Sequence, residues 1–136
     1  MKFGSSARLD ATSPTLTNTL KSLVRTPSRV TLLGSTGSIG TQAIQVIEHL
    51  ARLAGTTVDA EDAPLKVAAL SAGSRSLELL AQQAVLVRAE LVATSGTAQD
   101  AQRLQEYLDA AARSTGISGY SPRIVWGERA SVEAAA

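Results

Sequence analysis

The sequence of 136 residues contains no cysteine and a single histidine, His49. The absence of cysteine excludes disulfide frameworks, thiolate zinc sites and thiol nucleophiles. With only one histidine, a metal site that needs two histidines of this chain is also excluded. No apolar run approaches the roughly 18 residues that a membrane-spanning helix needs, so we expect no membrane partner. The formal net charge is only +1, whereas general nucleic-acid-binding proteins have a clear excess of basic residues. We therefore expect no nucleic-acid partner either.

Aromatic residues are also scarce, at 3% of the chain, whereas hydrophobic residues make up 44% and include 23 alanines. A chain of this size can still bury a substantial core. Because alanine is small, we expect that core to depend on close packing of helices against a sheet and not on bulky side chains.

Residues 1–27 differ in composition from the rest of the chain. They are rich in Ser and Thr, contain four basic residues and one acid, and show no sustained apolar period. This composition is typical of a flexible N-terminal extension. It also suits an organelle transit peptide. The absence of cysteine favours a cytoplasmic protein, which we expect. If residues 1–27 are a transit peptide, the alternative location is a plastid-type organelle.

From residue 28 onward, short runs with β-branched residues alternate with helical patterns. The predicted strands are residues 29–33, 65–70, 90–94 and 123–126. The predicted helices follow them, and the first should bury Ile39, Ala43, Val46, Ile47, Leu50 and Ala54. This alternation predicts an α/β fold, a parallel sheet with flanking helices and right-handed crossovers. The last helical pattern, residues 127–136, is unfinished, so we expect residues 28–136 to be a partial domain that ends before completion.

A glycine-rich loop, Gly34-Ser-Thr-Gly-Ser-Ile-Gly40, joins the first predicted strand to the first helix. Strand, glycine loop and helix in this order are the phosphate-binding layout of Rossmann-like dinucleotide folds. Gly34 allows a sharp turn, and Gly37 lets the backbone approach a diphosphate. The free amides near Ser38 and Ile39 point at the anion. Ser35, Thr36 and Ser38 add hydroxyl donors.

The spacing G-x-x-G-x-x-G differs from the commonest dinucleotide fingerprint, G-x-G-x-x-G, and the loop lacks the lysine of a P-loop. Nucleoside triphosphate hydrolysis is therefore not expected. The alternative to nucleotide binding is a tight structural turn in an α/β domain.

The end of the second predicted strand indicates which dinucleotide is preferred. An NAD site usually has an acidic residue there for the ribose 2′-hydroxyl, but the stretch Leu70–Arg75 has none. The guanidinium of Arg75 and the hydroxyl of Ser74 are suited to a 2′-phosphate instead. This favours NADP over NAD, and the alternative for Arg75 is a solvated residue at a helix start.

Two blocks of the sequence carry a family resemblance. VTLLGSTGSIGTQ at residues 30–42 and VAALSAGS at residues 67–74 resemble the start of the 1-deoxy-D-xylulose-5-phosphate reductoisomerase family. The first block is quite specific, and the second is moderately so. The resemblance covers roughly residues 29–92 and extends more loosely to residue 127.

The resemblance implies a cofactor, an activity and a set of binding residues. Enzymes of the family use NADPH and a divalent metal, Mg or Mn, to convert 1-deoxy-D-xylulose 5-phosphate to 2-C-methyl-D-erythritol 4-phosphate in non-mevalonate isoprenoid biosynthesis. They are typically homodimers. By resemblance, residues 36–39 line the NADPH diphosphate, and Gly73, Ser74 and Arg75 lie near the adenosine ribose phosphate. The family often has asparagine at the position of Arg75.

The motifs that carry the family's chemistry are absent from the sequence. Neither the Asn-Lys-Glu motif near the nicotinamide nor the metal-binding Asp-Ser-Glu segment occurs in it. We therefore predict no catalytic residue and no metal ligand in this chain, and interpret it as the N-terminal cofactor-binding part of such an oxidoreductase. The alternative is an isolated nucleotide-binding α/β module of another oxidoreductase or of a regulator, without catalysis.

Overall fold

A computed structural model of the chain describes residues 28–135, in which strands and helices alternate. The strands are β1 (Ser28–Leu33), β2 (Leu65–Ala72), β3 (Leu91–Thr94) and β4 (Arg123–Trp126). The helices are α1 (Ser38–Leu53), α2 (Leu77–Val87), α3 (Ala98–Ser114) and α4 (Ala130–Ala135). These four strands form one parallel sheet in the order β1-β2-β3-β4, which confirms the predicted α/β fold. The predicted extension, residues 1–27, lies outside the described residues.

One face of the sheet is covered by three helices. Consecutive parallel strands that are neighbours in the sheet are joined by crossovers of the same hand, which place α1, α2 and α3 on the same side. Ile47 of α1, Leu80 of α2 and Leu104 of α3 accordingly share one hydrophobic cluster with Val67 and Val92 of the sheet. This cluster is the larger part of the core.

The opposite face packs against α4. Ala130 and Ala134 of this helix contact a second cluster formed by Ala69, Ala93 and Val125. Alanines on both sides allow a close approach of helix and sheet. Within residues 28–135, ten of the 23 buried hydrophobic residues are alanines, as the composition predicts.

A β-bulge in β2 determines which of its side chains enter each cluster. Val30 pairs with Val67, whereas Thr31 pairs with Ala69, so β2 contains one residue more than β1 at this point. The extra residue shifts the alternation of the strand. Val67 and Leu70, three positions apart, therefore both face the larger cluster.

The buried stripe of α1 differs from the predicted one. Only Ile47 of the predicted set is fully buried, while Ile39 is 82% exposed and Val46 is 58% exposed. The reason is the backbone of Gly40, which lies directly against the preceding loop and so fixes the rotation of the helix about its axis. The stripe that faces the sheet is consequently Ile44, Ile47 and Ala51.

The segment before β2, residues 54–64, is a surface loop that is anchored at several points. Val58 and Ala63 are buried in it. The buried Nζ of Lys66 donates a hydrogen bond to the carbonyl oxygen of Asp59 at 2.9 Å, which ties the loop to β2. In the described part of the chain, no helix combines the length and the apolar character needed to cross a membrane.

Candidate functional site

The loop between β1 and α1 is a tight turn attached to the end of β2. Gly34 has a φ of +68°, a value that side chains rarely allow, and its carbonyl oxygen accepts from the amide of Gly37 at 3.1 Å. The carbonyl oxygen of Ser71 accepts from the amides of Gly34 and Ser35, at 2.7 and 3.0 Å. The turn is thus held at the carboxyl edge of the sheet, where parallel α/β proteins place their ligands.

The other two glycines of this loop, Gly37 and Gly40, differ in the space that the fold leaves for a side chain. A Cβ on Gly40 would lie 2.4 Å from the carbonyl oxygen of Gly34 and 2.6 Å from the Cα of Ser35, so the fold itself excludes any other residue there. A Cβ on Gly37 would meet only the Gly34 oxygen, at an ordinary 3.5 Å. The fold leaves room at Gly37, which is exposed.

The N-terminus of α1 is open. Its N-cap residue, Gly37, supplies no side-chain hydrogen bond, and the first turn contains no acid. Among the described residues, the amides of Thr36, Ser38, Ile39 and Gly40 have no acceptor. Free amides together with the positive end of the helix dipole form a site for an anion such as a phosphate.

The predicted loop residues do not share one environment. Ser35 is fully buried, and its hydroxyl oxygen has no hydrogen-bond partner within the described part of the chain. Thr36 is half-buried, and Gly37, Ser38 and Ile39 are exposed. The exposed backbone of the last three is the part of the loop that a ligand would meet first.

Gln83 of α2 is a polar contact of the loop that the sequence analysis did not single out. Its side chain is buried, at 5% exposure, and its Nε2 donates to the carbonyl oxygen of Ser35 at 2.8 Å. Its own oxygen, Oε1, has no partner among residues 28–135. The available signal was a glutamine at the inward phase of an otherwise apolar helix face, between Leu80 and Val87.

The second predicted segment, residues 73–75, lies at the end of β2, beside the first loop. Ser74–Ser76 forms one turn of 3-10 helix before α2, and Gly73, Ser74 and Arg75 are all exposed. Arg75 forms no ion pair with any described residue. Its guanidinium is therefore available to a ligand at this edge of the sheet.

The next helix along the same edge has a closed N-terminus. The hydroxyl of Thr97 accepts from the amide of Asp100 at 3.2 Å, and the carboxylate of Asp100 accepts from the amide of Thr97 at 2.9 Å. This reciprocal capping box satisfies the first amides of α3 with its own side chains and places a negative charge there. The start of α3 is therefore unsuited to an anion.

Other side chains of types that often bind ligands do not converge on a site. His49 is exposed on α1, and Trp126 is 51% exposed at the end of β4. In the loop of residues 54–64, Asp59 lies 3.8 Å from Arg88, and Asp62 accepts a hydrogen bond from Thr56. Within residues 28–135, no group of three or more histidines and carboxylates is arranged to hold a metal ion.

A cavity of about 930 Å³ lies away from the glycine loop. It is bounded by parts of α1, α2 and α3 and by residues 56–59 of the loop before β2, and none of the predicted binding residues lines it. Its walls include Glu48, Glu78, Arg52 and Arg88, a mixture of charges that favours no single ligand class.

Comparison with known proteins assigns the family. The family model described as 1-deoxy-D-xylulose 5-phosphate reductoisomerase matches residues 30–136. The reductoisomerase of Arthrobacter sp. (strain FB24) is 48% identical over 109 residues, which are 80% of this chain and 24% of that protein. The reductoisomerase of Synechocystis sp. is 37% identical over 107 residues, 79% of this chain and 22% of that protein. The chain thus spans about a quarter of the length of these curated relatives.

A solved structure agrees with the fold. The reductoisomerase from Zymomonas mobilis, determined in complex with NADPH, superimposes with a TM-score of 0.59 at 28% identity, over 80% of this chain and 23% of that one. A family match over most of the chain, together with this structural agreement, leads to one conclusion. The chain belongs to the 1-deoxy-D-xylulose 5-phosphate reductoisomerase family.

Proposed function

We propose that residues 28–135 bind NADPH, with the diphosphate at the open N-terminus of α1. The observation that carries this proposal is the set of amides at Thr36 and residues 38–40 that find no acceptor within the described part of the chain. They lie next to the N-cap glycine Gly37, at which the fold leaves room. A diphosphate supplies the acceptors and the negative charge that these groups lack. The relative solved in complex with NADPH supports the choice of cofactor.

Individual residues of the loop have separate roles in this proposal. Thr36, Gly37, Ser38 and Ile39 line the diphosphate, mainly through their backbone. Gly34 supplies the turn that aims the helix. Ser35 contributes by holding the shape of the loop, because its hydroxyl is buried, its amide donates to Ser71 and its carbonyl accepts from Gln83.

The second segment is proposed to hold the adenosine ribose with its 2′-phosphate. Gly73 permits the approach of the ribose, Ser74 donates a hydrogen bond, and Arg75 provides the charge. The support is that all three are exposed at the end of β2 and that Arg75 has no ion pair with the described residues. A free guanidinium there favours NADPH over NADH.

The complete reaction is proposed for the longer enzyme of which this segment is the cofactor-binding part. There, the sugar phosphate 1-deoxy-D-xylulose 5-phosphate is converted to 2-C-methyl-D-erythritol 4-phosphate with a divalent metal, in a cytoplasmic homodimer. The described residues do not fit a metal site, so we assign no metal ligand to them. The 136-residue chain alone is expected not to oxidise NADPH when it is mixed with the sugar phosphate and Mg²⁺.

The experiment is a fluorescence titration of the 136-residue chain with NADPH and with NADH. We expect tighter binding of NADPH, a loss of both affinities in Gly37→Val, and a loss confined to NADPH in Arg75→Ala. Arg113→Ala, which removes an exposed arginine of α3, serves as the matched control. Unchanged affinity in Gly37→Val would overturn the assignment of the loop, and an equal loss for both dinucleotides in Arg75→Ala would overturn that of the 2′-phosphate.

A further inference from the structure

We infer that Gln83 is a positioning residue that aims the Thr36 amide at the diphosphate. The inference rests on the proposed function, because it explains how the loop is held in the shape that binds the cofactor. Gln83 does not touch the proposed ligand site. It acts from the opposite side of the loop, through the Ser35 carbonyl.

The hydrogen bond fixes the orientation of one peptide group. Nε2 of Gln83 donates to the carbonyl oxygen of Ser35 at 2.8 Å, inside the protein. The chain has no cis peptide bond in its described part, and in a planar trans peptide the carbonyl and the amide of the same group point in opposite directions. With the Ser35 carbonyl directed inward, the Thr36 amide on the same peptide is directed outward.

The outward amide of Thr36 is one of those that have no acceptor among residues 28–135. Rotation of this peptide would turn it inward and would present a carbonyl oxygen to the anion instead. A carbonyl oxygen repels a phosphate, so the peptide orientation decides between attraction and repulsion. Gln83 supplies the only side-chain hydrogen bond to the turn among the described residues.

The surroundings of Gln83 indicate that stability alone does not require a glutamine. Its neighbours on the inward face, Leu80, Ala84 and Val87, are fully buried and apolar. Among residues 28–135 its buried Oε1 has no partner, which is unfavourable for folding because the group loses its hydration. An unbranched apolar residue of similar size would avoid this cost but would leave the buried Ser35 carbonyl without its donor. The two effects on stability oppose each other, so the hydrogen bond from Nε2 is the useful part of the side chain.

The test is Gln83→Met, which keeps length and volume and removes the donor. Gln82→Met is the matched control, because Gln82 is the preceding residue of the same helix and is exposed. We expect the affinity for NADPH to fall about tenfold in Gln83→Met, in line with the loss of one oriented donor. The unfolding temperature should change little, because removal of the buried Oε1 opposes the loss of the donor to the Ser35 carbonyl, and Gln82→Met should bind as the unchanged chain does.

A second ligand distinguishes a local effect of Gln83 on the diphosphate loop from a general disturbance of the structure. Adenosine 2′-monophosphate carries the 2′-phosphate but no diphosphate, so its affinity should be equal in the unchanged chain and in Gln83→Met. A structural role alone would lower the affinity for both ligands together. Equal NADPH affinity in Gln83→Met and the unchanged chain, or a parallel loss for both ligands, would overturn the inference.

A measurement on the unchanged chain keeps the inference testable if Gln83→Met does not fold. The side-chain amide protons of Gln83 should exchange slowly with solvent and shift when NADP⁺ is added, unlike those of Gln82. Exchange as fast as that of Gln82, or no shift on binding, would contradict the inference. A complete absence of NADPH binding by the unchanged chain would instead refute the proposed function itself.

Discussion

The N-termini of α1 and α3 lie at the same edge of one sheet, yet one is open and the other is closed. At α1 a glycine precedes the helix, no side chain of the described residues caps it, and no acid occupies its first turn. At α3 Thr97 and Asp100 form a complete capping box. The two helices begin in the same structural setting, after a parallel strand, and differ in what their first amides bind.

The difference between the two helix starts shows that α1 lacks the stabilisation that a cap provides. A capping side chain contributes about 1 kcal/mol to a helix, which α3 gains and α1 forgoes. An uncapped helix start in a folded protein leaves donors that a ligand can use. We therefore assign the cofactor to the N-terminus of α1, the helix without a cap.

A substitution at Gly40, in the first turn of α1, should change both stability and NADPH binding more than any other proposed below. In Gly40→Ala, the new methyl group meets the Gly34 carbonyl at 2.4 Å, so either the loop or the helix must move. We expect the free energy of unfolding to fall by about 1–3 kcal/mol and NADPH binding to be lost. Chemical denaturation and fluorescence titration measure the two quantities.

The matched control for that change is Gly37→Ala. Its methyl group meets only an ordinary contact at 3.5 Å, so the free energy of unfolding should change little. If Gly40→Ala were as stable as Gly37→Ala, the close packing of loop and helix described above would be contradicted.

A smaller effect is expected when the start of α1 is made to resemble that of α3. Ser38→Asp places an acid in the first turn of the helix, where it interacts favourably with the dipole by about 0.5 kcal/mol. The same charge repels a diphosphate, so NADPH affinity should fall while stability rises slightly. A variant that binds NADPH more tightly would show that the anion lies elsewhere.

The smallest effect on binding is expected at the closed end. Thr97→Ala removes half of the capping box and should lower the free energy of unfolding by about 1 kcal/mol. NADPH affinity should be unchanged, because these amides are not assigned to the ligand. Thermal unfolding with and without NADPH separates the two readouts, and a loss of affinity here would erase the distinction between the two helix ends.

The sequence predicted the order of elements well because each one carries a local signal. The strand at residues 123–126 has the predicted bounds, and the cap of α3 is formed by two side chains three positions apart, Thr97 and Asp100. These features depend on residues that are close in the chain. The strand β2, by contrast, continues to Ala72, two residues beyond the predicted end at residue 70, because pairing with β1 and β3 extends it through Ser71 and Ala72.

What could not be predicted depends on contacts between distant residues. The rotation of α1 follows from the contact of Gly40 with Gly34, and this rotation exposes Ile39. The hydrogen bond from Gln83 joins residues 48 positions apart. A periodic pattern records which face of a helix is apolar, but not which backbone group a buried polar side chain will meet.

The most direct test of the account is the change in backbone amide resonances of the ¹⁵N-labelled chain when NADPH is added. We expect large shifts at Thr36 and residues 38–40, at the open start of α1. We expect no comparable shifts at residues 97–100, at the capped start of α3. Shifts at the start of α3, with none at the start of α1, would contradict the assignment of the cofactor to the open helix end.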